Sequence, residues 1–106
     1  MTKAKQPSRE HHQKPHMNQN GSWIVGVITA KKDDGVFWTA PDDSDIVIWF
    51  PPKADPMNIG TQPVKAGQTF SANVPAGKAG TYPYSIFIYK DCSMVEGGSS
   101  PVMIIE

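Results

Sequence analysis

The stretch Gly80-Thr81-Tyr82-Pro83-Tyr84-Ser85-Ile86-Phe87-Ile88-Tyr89 is the longest apolar and aromatic run of the chain, and it is entered through a glycine. At period two, Tyr82, Tyr84, Ile86 and Ile88 share one face, while Ser85, Phe87 and Tyr89 share the other. Apolar bulk on both faces predicts a central strand of a sandwich. Before it, Val74-Pro75-Ala76-Gly77-Lys78-Ala79 closes a preceding strand with a turn. After it, a Gly/Ser loop leads into a last apolar strand from Pro101 to Ile105.

Outward from this run the same punctuation repeats. Trp23, Val25 and Val27 alternate with Ile24, Gly26 and Ile28, Lys31 to Gly35 form a charged turn, and Val36 to Thr39 read as a second strand. Asp45 to Phe50 is apolar on both faces and is therefore expected deep in the sheet, ending at Pro51-Pro52, which cannot donate to a ladder. A loop over Pro51 to Pro63 follows, and then Thr69 to Val74, whose clean alternation predicts one wet face. Short strands between Gly/Pro turns, with no helical period, predict an all-β sandwich in a single domain.

Residues 1–20 contain no Ile, Leu, Val, Phe, Tyr or Trp. Such a segment buries too little to offset its ordering entropy, so residues 1–20 are expected to be a disordered tail and residues 21–106 the folded domain. Removing the tail is then expected to leave stability unchanged. The tail is basic, with Lys3, Lys5, Arg9 and Lys14 against Glu10, and the rest of the chain is correspondingly acidic, since the chain as a whole is neutral. An acidic body gives no electrostatic reason for specific nucleic-acid binding. One cysteine, Cys92, makes no intramolecular disulfide, and no stretch is long enough for an apolar membrane span. The N-terminal charges are followed by no apolar h-region, so the chain as written reads as cytoplasmic, with export left open should the natural start differ.

The turn, the Gly80-Thr81-Tyr82-x-Tyr84 strand, the loop and the short closing strand resemble the C-terminal third of the cupredoxins, the blue-copper Greek-key proteins. The resemblance implies a cupredoxin-like Greek-key β-sandwich of about seven strands. It also implies a ligand set of two histidines, a thiolate and an axial methionine, the soft-sulfur and imidazole combination that suits copper to electron transfer. Laid on the family pattern without gaps, Ile86 falls at the cysteine, Tyr89 at the second histidine and Met94 at the methionine. Pro56-Met57-Asn58-Ile59 is similar to the Pro-His-Asn-Val step that carries the first histidine, with Met57 in its place. Three of the four ligand types are missing, so the expectation is no cofactor, with Ile86 and Tyr89 filling the end of the sandwich that copper would occupy.

Two further sets of donors deserve weighing. Met57, Cys92 and Met94 together make a soft-ligand set for Cu(I), the alternative function to a metal-free module, with type-1 copper electron transfer behind it. Methionine is also a common gap-filler in cores and a lone cysteine a small hydrophobe. His11, His12 and His16 lie in the expected tail, where a flexible chain can wrap an ion, and they are read as without chemical role. From residue 21 onward there is no histidine, which removes Ser-His and Cys-His pairs from the domain, and the aspartates lie in or beside turns. No HExxH, P-loop or dinucleotide glycine pattern occurs. The expectation is a non-catalytic binding module for a protein or small-molecule partner, of undetermined oligomeric state, with most aromatics in the core and any exposed remainder marking the functional surface.

Overall fold

The computed structural model describes residues 9–95 and 101–106. Its strands are β1 (Glu10–Gln13), β2 (His16–Met17), β3 (Trp23–Ile24), β4 (Ile28–Ala30), β5 (Gly35–Thr39), β6 (Ile46–Trp49), β7 (Thr61–Val64), β8 (Thr69–Asn73), β9 (Gly80–Pro83), β10 (Ser85–Ile88), β11 (Ser93–Met94) and β12 (Val102–Ile105). The only helical element among the described residues is a single 3-10 turn, Pro52–Ala54, so none is long and apolar enough to cross a membrane. Hydrogen bonding orders the strands as β1-β5-β8, β11-β10-β6-β7, β4-β12-β9 and β2-β3. The all-β sandwich is thus present, built of more and shorter strands than the seven expected.

The run from Gly80 to Tyr89 divides at Tyr84. β9 pairs with β12, ending at Pro83 opposite Val102, and β10 then pairs with β6, beginning at Ser85 opposite Trp49. Pro83 has no N–H to continue a ladder, and the Tyr84 N–H donates instead to the Pro101 carbonyl at 3.0 Å. The chain therefore changes sheet partners at a buried tyrosine. The alternation persists through the change, with Tyr84, Ile86 and Ile88 all buried.

Those inward side chains meet an aromatic core. The Trp38 Nε1–H of β5 donates to the Tyr84 hydroxyl at 3.2 Å, and the Tyr84 ring stacks on Phe50 with centroids 4.9 Å apart. Burial pushes the Tyr84 hydroxyl up to about 12, against the opposing effect of the Trp38 hydrogen bond. Beside them Ile48 lies opposite Ile86 and Ile46 opposite Ile88, all four fully buried. Each such side chain contributes roughly 1.5–3 kcal/mol by leaving water.

The disordered tail expected over residues 1–20 is corrected by the described part of that segment. β1 pairs in parallel with β5, with Glu10 opposite Gly35 and Gln13 opposite Trp38, and β2 pairs with β3. Asp34, just before β5, supplies the anchor. One of its carboxylate oxygens accepts from the Arg9 N–H at 3.2 Å, and the other accepts from the Lys31 N–H and pairs with His11 Nε2, both at 2.9 Å. His12 stacks on Phe37 with centroids 4.7 Å apart, and Pro15 is buried. Ladder and polar contacts order this segment where apolar burial could not. Residues 1–8 lie outside the described residues.

Candidate functional site: a ligand end without ligands and an exposed aromatic face

The end of the sandwich to which the resemblance assigns copper is where β10 turns into β11. The Tyr89 N–H donates to the Asp45 carbonyl at 3.1 Å, and the Lys90 N–H donates to Ser44 Oγ at 2.9 Å. Lys90 Nζ also pairs with Asp43, which lowers the carboxyl and raises the amine from their ordinary values. Trp23 Nε1 donates to Asp91 at 2.7 Å. The loop that faces the C-terminal turn is therefore Pro41 to Asp45.

Met57 is elsewhere. It sits in a turn shaped by Asp55, whose two carboxylate oxygens accept from the N–H groups of Ile59 and Gly60 at 2.8 and 2.7 Å. Phe50 N–H to Gly60 carbonyl then closes this loop at the Trp49 end of β6. Cys92 follows Ile88, which is opposite Ile46 at the other end of β6. The length of that strand, on the order of 10 Å, lies between the two ends of the ladder. The register places the Met57 loop and the turn at Cys92 at opposite ends of the β6-β10 ladder. Met57 packs on the core from its own side.

Of the remaining positions, Ile86 is fully buried in the ladder with Ile48, an alkyl group with no lone pair to offer a metal. Tyr89 is exposed and stands edge-on against Phe87, centroids 5.2 Å apart, so it does not plug the end as expected. Cys92 is exposed at the turn with φ 50°, and Met94 is exposed in β11. His11 and His12 are engaged with Asp34 and Glu10, and the His16 ring faces the Lys14 carbonyl. Among the described residues no three His, Cys, Asp or Glu side chains gather as a metal-binding group. The donor set does not fit a blue-copper ion.

The exposed residues share a surface. Directly opposed residues of an antiparallel pair point to the same face, and the registers put Met94, Phe87, Val47 and Pro63 in one row across β11, β10, β6 and β7. One step along the strands lies the row Ser85, Trp49, Thr61. On the opposite side Tyr89 and Asp45 continue the strands, with Asp45 near Lys65 at 4.0 Å. Trp49, Tyr89 and Met94 are 42%, 53% and 45% exposed. The sequence reading of β6 as deep on both faces is corrected here: Ile46 and Ile48 are buried, whereas Trp49 is on the open side. The outward sequence signal was the odd-numbered set Val47, Trp49, Pro63, which the apolar character of the run obscured.

No protein-family model matches the chain, and no curated protein does. Solved structures do match. A methionine-to-glutamine mutant of amicyanin in its Cu(I) form superposes with a TM-score of 0.57 at 15% identity, covering 92% of this chain and 82% of that one. A methionine-to-alanine mutant, also Cu(I), gives 0.55 at 14%, covering 97% and 86%. Amicyanin from Paracoccus versutus gives 0.51 at 14%, covering 94% and 84%. At such identities the likeness is one of fold, and what the chain has in common with amicyanin is the cupredoxin β-sandwich.

Proposed function

We propose that this domain is a metal-free interaction module on a cupredoxin scaffold, and that it engages a protein partner through the outer face of the β11-β10-β6-β7 sheet. The observation that supports this is the exposure, side by side on one sheet, of Trp49, Tyr89 and Met94 around Phe87 and Val47. Aromatic residues and methionine are the types enriched at interface centres, where charge is depleted. Among the described residues, the charged pair on this face is Asp45 with Lys65, at its rim. The non-catalytic reading is supported by the engagement of His11 with Asp34 and of His12 with Glu10.

A photoreactive benzophenone residue placed at Trp49 tests the proposal in the cells that make the protein. Crosslinked adducts are expected from that position and not from the exposed Thr29 on β4. Equal yields from the two positions would remove the face from consideration. The Cu(I)-carrier alternative is supported by the exposure of Cys92 and Met94, and opposed by the position of Met57 at the far end of β6. Tight one-to-one Cu(I) binding that is lost in both Cys92→Ser and Met57→Leu would favour it.

A further inference from the structure

We infer that Asn20 is a site of spontaneous deamidation, and that its conversion to isoaspartate opens the β2-β3 hairpin. The chain has four asparagines, Asn18, Asn20, Asn58 and Asn73, followed by Gln19, Gly21, Ile59 and Val74. The reaction needs the peptide nitrogen of the following residue to reach the asparagine side-chain carbon, and a side chain on that residue stands in the way. Only Asn20 precedes a glycine.

The turn presents this pair to water. Met17 lies opposite Trp23, and the Asn18 N–H donates to the Ser22 carbonyl at 2.8 Å, so residues 19–21 form a three-residue hairpin loop. Gly21, with φ 79°, supplies the left-handed residue that closes such a loop. Asn18 Oδ1 holds the loop, accepting from the N–H groups of Asn20 and Ser22 at 2.9 Å each. The Asn20 side chain itself is exposed and has no hydrogen-bond partner among the described residues. A Cβ at Gly21 would meet no atom within 4 Å, so nothing crowds the attacking nitrogen. The Gly21 N–H donates to the Asn18 carbonyl at 3.2 Å, the long limit for a backbone bond. Both flanking strands have two residues, so local opening is cheap. The pair Asp34-Gly35, which reacts through the same ring, is withheld by the fold: the Asp34 carboxylate is buried and bonded, and the Gly35 N–H donates to the Arg9 carbonyl at 2.9 Å.

The chemistry balances with water alone. The Gly21 nitrogen gives its proton to solvent base and attacks Asn20 Cγ, the bond from Cγ to the amide nitrogen breaks, and ammonia leaves with a proton from water. Water then opens the five-membered imide. Opening at Cγ gives aspartate, whereas opening at the main-chain carbonyl gives isoaspartate, whose backbone runs through Cβ. A loop of three residues has no slack for an added main-chain carbon, so the bond from Gly21 to Asn18 and the pair Asn18 with Ser22 are not both kept. The β2-β3 ladder is one of two that hold the N-terminal segment, the other being β1 on β5. Gly21, Ser22 and Trp23 also face Ser93 and Met94 across a cleft of about 230 Å³, and Trp23 Nε1 donates to Asp91. The modification therefore acts beside the exposed Met94.

The full chain, incubated at mildly alkaline pH beside a synthetic peptide of residues 17–23, tests this by mass spectrometry with electron-based fragmentation, which separates aspartate from isoaspartate. Loss of the amide is expected at Asn20 in both, faster as pH rises, with Asn18, Asn58 and Asn73 of the same chain unchanged. Hydrogen exchange is expected to show the Asn18 N–H losing its protection in the isoaspartate fraction while β6 and β10 keep theirs. Asn20→Gln, whose longer side chain does not form the five-membered ring, is expected to keep both its amide and the hairpin protection, with melting curves showing that it is folded. A folded chain that retains Asn20 after the peptide has been consumed overturns the site. Conversion that leaves the Asn18 N–H as protected in isoaspartate as in unreacted chain overturns the opening of the hairpin.

Discussion

His11 Nε2 lies 2.9 Å from Asp34 Oδ2, and this contact fastens a first strand that has no large apolar side chain to the turn that begins β5. The Asp34 side chain is only 9% exposed, so its lone pairs depend on protein donors. Removing His11 leaves one of them unmatched at a cost of about 1–3 kcal/mol. In a domain of this size that corresponds to a fall in Tm of about 5 °C or more. Calorimetry of His11→Ala, and of a chain lacking its first 20 residues, is expected to show this loss in both. Unchanged melting would mean that the strand docks without stabilising the body.

The same carboxylate predicts an acid limb. Burial alone would raise the Asp34 pKa, but the N–H of Lys31, His11 and the N–H of Arg9 together hold it below its ordinary 3.8. A group depressed in the folded state stabilises it fully above the unfolded value, and that contribution fades as pH falls through the folded one. Asp34→Asn is therefore expected to be less stable than the parent at neutral pH, with the gap closing below about pH 3.8 as the parent's carboxyl is protonated. Urea unfolding of the two chains at pH 7, 5 and 3 measures it. A gap that widens in acid would contradict the assignment.

Ile86 and Tyr89 stand at two of the positions that the resemblance gives to copper ligands, yet their energetic roles differ. Ile86 is fully buried opposite Ile48, and Ile86→Ala is expected to cost about 2–5 kcal/mol. Tyr89 is half exposed and leans on a single ring, so Tyr89→Ala is expected to cost less than about 1 kcal/mol. Denaturant midpoints with equal slopes decide it. A larger loss at Tyr89 than at Ile86 would mean that the turn, not the ladder, closes this end of the sandwich.

The sandwich was legible because alternation and turn chemistry are local. Tyr84, Ile86 and Ile88 announce their burial at period two, and Thr69 to Asn73 announce their wet face. What period two cannot report is which strand lies alongside, so the change of partners at Tyr84 was hidden except for the proline at position 83. Nor can it report whether a second layer covers an apolar face, which is why Trp49 was assigned to the interior. The first strand was missed for a different reason. Composition measures apolar burial, and β1 is held by a parallel ladder, by Asp34 and by the stacking of His12 on Phe37. Among the described residues, the loop facing the C-terminal turn is Pro41 to Asp45.

That placement determines what copper is expected to do. An intense blue charge-transfer band needs a thiolate held with imidazoles on one metal. Cys92 stands on an exposed turn, and the histidines His11 and His12 are tied into the β1 edge. Cu(II) added to the purified chain is accordingly expected to give no strong absorption near 600 nm, roughly where copper thiolates absorb. Weak binding that does occur is expected to follow the surface histidines, and so to be unchanged by Cys92→Ser and reduced by replacing His12 and His16 with asparagine. A visible band that disappears in Cys92→Ser would show that the turn can reorganise to bring sulfur and imidazole together. In that event the exposed aromatic face would no longer be the first place to look for function.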